Sequence, residues 1–277
     1  MDSGFIVFNA VTYPNFLRFA KQAKGVDVID SDMSFSVSRD QGAFEWAGSS
    51  AGALFAQRSN LLNPLHWRMV WDILRFNACA LELLSGDADD AGGEEPIESY
   101  LARNGYSHAF RDNYILPMTA AIWSTPIGTA ALSFPILTLV RFAHNHHLLQ
   151  IFGRPRWLTL RGGARTYVEA ITSQLPKGTH RLGASVSAVS SKPAGGVRLR
   201  VSTTDKVADE DFDHVVLACH ADEALAMLRA GGGATKDEED ALSRFRFSDN
   251  TAVLHSDVSV RHLPLSSQYA ALTMWCS

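Results

Sequence analysis

The stretch "RGGART" sets Gly162 and Gly163 between Arg161 and Arg165. Two adjacent glycines let a backbone approach a ligand closely, and their N–H groups beside a guanidinium can receive an anionic group. A plain turn between a strand and a helix uses the same residues equally well. The spacing is not the G-x-G-x-x-G of a dinucleotide-binding turn, and "AGSSAG" at 47–52 does not supply it either. His144, His146 and His147 crowd into "HNHHLL". At i, i+2 and i+3 of a helix the first two do not share a face and no carboxylate accompanies them, so no metal site is expected. Cys219 precedes His220, but adjacency alone makes no catalytic dyad, and no nucleophile elbow or triad spacing occurs, which leaves hydrolase chemistry weakly supported. The acidic "SGDADDAGGEE" lacks a calcium-loop pattern and reads as a solvated loop.

The chain that must position these residues is 277 long, 46% hydrophobic, with a net charge of -4. That suffices for a sizeable core in two domains or one large one, and it lacks the basic excess of a nucleic-acid binder. Cys79, Cys219 and Cys276 are odd in number and far apart, as reduced thiols of a cytoplasmic protein would be. The N-terminus has no basic region and too short an apolar run for an export signal. From Asn113 through Val140 there is no charged residue. Pro117, Pro126, Pro135 and Gly128 would break a membrane-spanning helix. Buried helices are expected, lining an apolar pocket or a membrane-facing mouth.

"GFIVFN" near the start reads as a strand buried on both faces, of the kind found in mostly parallel sheets, followed by a helix that ends near Gly25. Alternating Phe35, Val37, Phe44 and Trp46 predict a hairpin turning at 39–42, outside the main sheet. A long helical region is predicted from Leu61 to Leu84, where Leu62, Leu65, Met69, Ile73, Phe76 and Leu83 recur at helix-like steps with Arg68, Asp72 and Arg75 on other faces. A helix follows from Pro96 to Asn104, then another capped by Ser107. "RWLTLRGGARTYVEAITSQL" reads as strand, glycine turn and helix with Tyr167, Val168, Ile171 and Leu175 inward. Two β-rich runs come next. "FDHVVLACHADEALAML" then gives a buried strand entering a helix capped by Asp222, and Thr235 with Glu238 has capping-box spacing.

Taken together, "DSGFIVFN", "DMSFSVS", "FEWAG", "FRDNYILPMTAAIWSTP", "FGRPRWLTLRGGARTYVEAI" and "FDHVVLACHADEALAML" resemble the flavin-containing amine oxidase superfamily. The resemblance is closest to its bacterial and fungal group of predicted NAD/FAD-binding amine-oxidase-like proteins. It implies an α/β (α+β mixed) fold: an FAD-binding Rossmann-like domain from 1–30 and 156–225, with a mainly helical substrate domain from 31–155 and 226–277. It also implies FAD as cofactor, with Gly4 and Phe5 near the isoalloxazine ring, the Val186 backbone at the adenine, and Ala218 and Cys219 in the turn flanking the dinucleotide. Relatives carry a glycine fingerprint before "DSGFIVFN" and a further flavin-contacting segment after the last residues here, so the chain is expected to be truncated at both ends.

The activity implied is hydride transfer from substrate to flavin, of amine oxidase or desaturase type. The uncharged 113–140 region favours an apolar substrate, such as an acyl chain, over a polar amine. Trp123 and Trp157 are expected as pocket walls, and no catalytic residue is named. The partners expected are a small apolar molecule and, peripherally, a membrane. The alternative is a truncated, non-catalytic relative that binds an apolar ligand or a protein.

Overall fold

Asn9 turns the first strand into the first helix. Its Oδ1 accepts from the backbone N–H of Val11 at 3.0 Å and of Thr12 at 2.8 Å, an Asx-type turn, and Pro14 then opens α1 (Pro14–Gln22). The structure, a computed structural model, describes residues 7–40, 42–85, 95–123 and 132–247 and the backbone of 272–276. Within it β1 (Phe8–Asn9), β2 (Val28–Ser31) and β5 (Trp157–Leu160) form a sheet in the order β1-β5-β2. Both outer strands run antiparallel to β5. This corrects the mostly parallel sheet expected of "GFIVFN". The crossover through α1 does make β1 and β2 parallel to each other, but it leaves a one-strand gap that β5 fills in the opposite direction. Phe8, Ala20 and Leu160 form the core beneath, joined by Phe16 and Tyr167.

The helix α8 (Arg165–Thr172) follows the Gly162–Gly163 turn as predicted, but Val168, Ile171 and Leu175 are exposed. A two-turn helix on a three-stranded sheet has room to seat little more than Tyr167 and Ala170, which accounts for the difference.

The predicted hairpin is β3 (Phe35–Arg39) and β4 (Phe44–Ala47). Asp40 at φ 54° and Gly42 at φ 89° make its turn, and β9 (Leu272–Cys276) adds in parallel to the free edge of β3. Beside this sheet lie short α2 (Ala51–Leu54), α3 (Pro64–Cys79) and α4 (Ile97–Arg103). The chain then runs through α5 (His108–Phe110), a π-helical turn (Arg111–Ile115) and α6 (Leu116–Trp123) to α7 (Ile136–Asn145). Met69, Phe76, Ile97, Phe110, Ile115 and Leu139 pack with Val37 and Trp46 in the main core. Ser107 caps α5 as predicted, its Oγ accepting from Phe110 N–H at 3.2 Å. Among the described residues no helix is long and apolar enough to cross a membrane.

The helical region expected from Leu61 to Leu84 is present, in three segments. A 3-10 turn (Arg58–Leu62) precedes Asn63, whose side chain caps α3, and another (Ala80–Leu84) follows it. Leu62 and Leu65, part of that periodicity, are 90% and 65% exposed, because they lie between two segments, where the helical register starts afresh. Asp72, placed on another face, is fully buried. Arg68 at 3.1 Å, Arg75 at 3.4 Å and the backbone N–H of Ser107 at 2.9 Å surround its carboxylate. That set of partners is what a buried charge requires.

The chain divides into two compact units, residues 1–171 with 249–277, and residues 172–248. In the second, β6 (Ser185–Ser191), β7 (Val197–Ser202) and β8 (Val207–Phe212) form an antiparallel meander. Arg198–Asp211 and Arg200–Asp209 pair across β7 and β8. The helix α9 (Ala221–Ala230) lies on β6, and Gly231 ends it so closely that a Cβ there would stand 1.9 Å from the Val189 carbonyl oxygen. The buried strand expected in "FDHVVLACH" is absent from the described structure. The ladder ends where Phe212 meets Val197, residues 213–220 have no strand partner, and Val216 is exposed. His220, not Asp222, occupies the N-cap of α9. The predicted capping box does form at α10 (Lys236–Leu242): Thr235 N–H donates to Glu238 at 2.7 Å, and Glu238 N–H donates to the Thr235 hydroxyl at 3.2 Å.

Candidate functional site

An i→i+5 turn leaves helix carbonyls without their ordinary partners, and such turns concentrate at functional sites. Here the π-helical turn faces the β3–β4 hairpin, which takes up the freed groups. The indole N–H of Trp46 donates to the Asn113 backbone carbonyl at 2.9 Å, and the Arg39 guanidinium donates to the Asn113 side-chain oxygen. Trp46 stacks on Tyr114 with centroids 5.6 Å apart, and Tyr114 stacks on Phe110 at 5.3 Å. The turn, the strand and the aromatic rings therefore hold one another in place.

Between them lies a small, partly open apolar crevice of about 10 Å³. Phe35, Ser36 and Val37 of β3 and Trp46 of β4 form one wall; Tyr114, Pro117, Met118 and Ala121 form the other. Burial pushes the Tyr114 phenol up to about 12, so this ring stays neutral at physiological pH and cannot serve as a base. Among the described residues no other ionisable side chain lines the cavity. Such a wall can bind, orient and keep water away from an apolar group, and it offers no acid–base pair. The volume gives room for about one water-sized group; it is far below the roughly 300–1,000 Å³ that bury a whole drug-sized ligand, so it suits no more than the tip of an apolar group.

Trp123 and Trp157 are not part of this cavity's wall. Trp123 stacks on Phe134 at 4.8 Å, and Trp157 lies on β5 against the main core. Sequence reasoning passed over Tyr114, Met118 and Ala121 as site residues. The signal was present: steps of four and three put all three on one helical face.

The residues expected at the cofactor are spread between the two units. Gly4 and Phe5 lie outside the described residues. At the glycine turn, Gly162 and Gly163 have φ of 84° and 83°. The Gly163 N–H donates to the Leu160 carbonyl at 2.9 Å, and the Gly163 carbonyl accepts the Thr166 hydroxyl at 2.8 Å. Arg161 is paired with Asp27 at 2.6 Å, and Arg165 with Glu169. The turn is thus closed on its own partners. In the other unit Val186 sits on β6, while Ala218 and Cys219 are exposed ahead of α9. Asp222 and Glu223 occupy the first turn of α9, where negative charge opposes a bound phosphate. The described residues at these positions thus show a self-bonded turn in one unit and an acidic helix start in the other.

The histidine cluster has a structural role at one member. His146 bonds the Tyr13 hydroxyl at 2.8 Å and the Phe142 carbonyl at 2.9 Å. His220 stacks on Phe247 at 5.0 Å, and Cys219 is a free thiol.

The fold is a mixed helix–strand one with an apolar crevice between a hairpin and a π-helical turn. The chain matches the family of flavin containing amine oxidoreductases over residues 1–255 and belongs to that family. None of the curated proteins matches it.

Proposed function

We propose that the protein is an FAD-dependent oxidoreductase of amine oxidase or desaturase type acting on an apolar substrate, an acyl chain before a polar amine. One observation carries this reading. The whole cavity wall comes from three stretches that resemble the family, "DMSFSVS", "FEWAG" and "FRDNYILPMTAAIWSTP", and it contains no charged side chain. Family membership supports a flavin, and FAD is the form we infer. An FAD-binding Rossmann-like domain with an inserted helical domain is the architecture that goes with it. The described residues supply the substrate side: Trp46, Tyr114 and Met118 would grip the apolar group and exclude water. A small apolar molecule is the partner proposed, and a cytoplasmic setting is proposed from the scattered thiols.

The closed glycine turn favours a second reading, a non-catalytic protein that binds an apolar ligand in the same cavity. An absorption spectrum of the purified chain, before and after incubation with FAD, separates the two. Flavin bands near roughly 370 and 450 nm at one flavin per chain support the oxidoreductase. A folded chain that stays colourless in excess FAD supports the binding protein.

A further inference from the structure

A surface helix ordinarily turns one apolar stripe to the core, yet α3 carries a second apolar stripe in solvent, with Arg68, Asp72 and Arg75 on the flank between the two. Its inner face carries Met69 and Phe76, both buried. Its outer face carries Trp67, Trp71, Leu74 and Ala78, continued by Leu81 in the following 3-10 turn, at steps of four and three residues. Trp67 and Trp71 are 49% and 59% exposed. Leu61, whose carbonyl accepts the Trp67 indole N–H at 2.9 Å, continues this surface at the helix start, and Leu62 next to it is exposed.

We propose that this outer face of α3 is a membrane-docking surface that lies in the headgroup boundary of an anionic lipid bilayer. The charges beside it select that occupant. From Arg58 through Leu81 the charged residues are Arg58, Arg68, Arg75 and Asp72. The single acid is fully buried between Arg68 and Arg75. In a chain of net charge -4 this stretch therefore carries an excess of cations: Arg58 is exposed, Arg68 is part-exposed beside its pair with Asp72, Arg75 is held over the Tyr106 ring, and the first exposed acid along the chain, Glu82, follows Leu81. Indole rings, leucines and arginines on one face are the composition of interfacial helices, which sink roughly 5–10 Å into the headgroup region. Symmetric pairing with a second copy would set the same cationic excess against itself.

The test is flotation of the full chain with vesicles of phosphatidylcholine alone or mixed with phosphatidylglycerol. Binding should rise with phosphatidylglycerol, weaken with salt and shift the tryptophan emission to the blue. The double variant Leu62→Gln with Trp71→Gln should lose roughly tenfold or more of the partitioning. Arg58→Glu, an exposed site that cannot disturb the core, should weaken binding to anionic vesicles only, and it decides the matter should the double variant fold poorly. Three results would overturn the proposal: no partitioning onto either vesicle, partitioning untouched by these variants, or a concentration-dependent dimer that Trp71→Gln dissolves while no lipid is bound.

Discussion

The hairpin–π-turn region and the glycine turn both derive from stretches that resemble the family, and the folded chain treats them differently. At the first, side chains spend their polar groups on anchoring Trp46 and Arg39 to Asn113 and leave an apolar space between. At the second, the Gly163 N–H and the Arg161 guanidinium are spent on Leu160 and Asp27. An apolar site needs only walls, and one helix face packed on one hairpin provides them. A phosphate site needs several donors pointing outward together, and a turn that satisfies itself does not supply them.

The largest effect that would break this contrast is at Trp46, which is 3% exposed. Trp46→Ala removes the buried indole, its hydrogen bond and its stack on Tyr114, and should cost about 3–5 kcal/mol in urea unfolding; a cost under about 1 kcal/mol would mean the wall is not held by that ring. Gly162→Ala tests the other side. It places a Cβ at positive φ, 3.1 Å from the Thr166 methyl, and should cost about 1–2 kcal/mol with no ligand present. Unchanged stability would show that the turn is not closed on itself in the way its bonds indicate.

A smaller effect is expected with pH. His66 packs against Phe44 of the hairpin and against Phe55, and burial lowers its pKa, with the Leu54 backbone offsetting part of this. The unfolded chain therefore takes up the proton first. Stability from this group is fully present above the unfolded value of about 6.5 and is lost as pH falls below it. His66→Phe should flatten that slope in unfolding midpoints measured between pH 7.5 and pH 5.5; the same slope in the variant would assign it elsewhere.

Much of this was legible in the sequence where the signal is local. The Phe35–Trp46 alternation fixed the hairpin, Thr235 and Glu238 the capping box, and Ser107 the start of α5, because each depends on residues within a few positions. What failed depended on distant partners. Nothing near "GFIVFN" indicates that β5, some 150 residues later, would enter antiparallel between β1 and β2. The apolar run 215–219 reads as a buried strand, yet pairing with β7 carries β8 only to Phe212. On α3 the apolar periodicity fits two faces at once, so counting hydrophobic steps could not say that Trp67 and Trp71 would face solvent.

The most direct test of the account is a calorimetric titration of the chain with 1-decanol, comparing wild type with Ala121→Phe, which fills the cavity from its α6 wall. The account predicts one-to-one binding to the wild type and an affinity lower by roughly tenfold or more in the variant. Equal affinity in the two, with the variant folded, would place the apolar ligand somewhere other than between the hairpin and the π-helical turn.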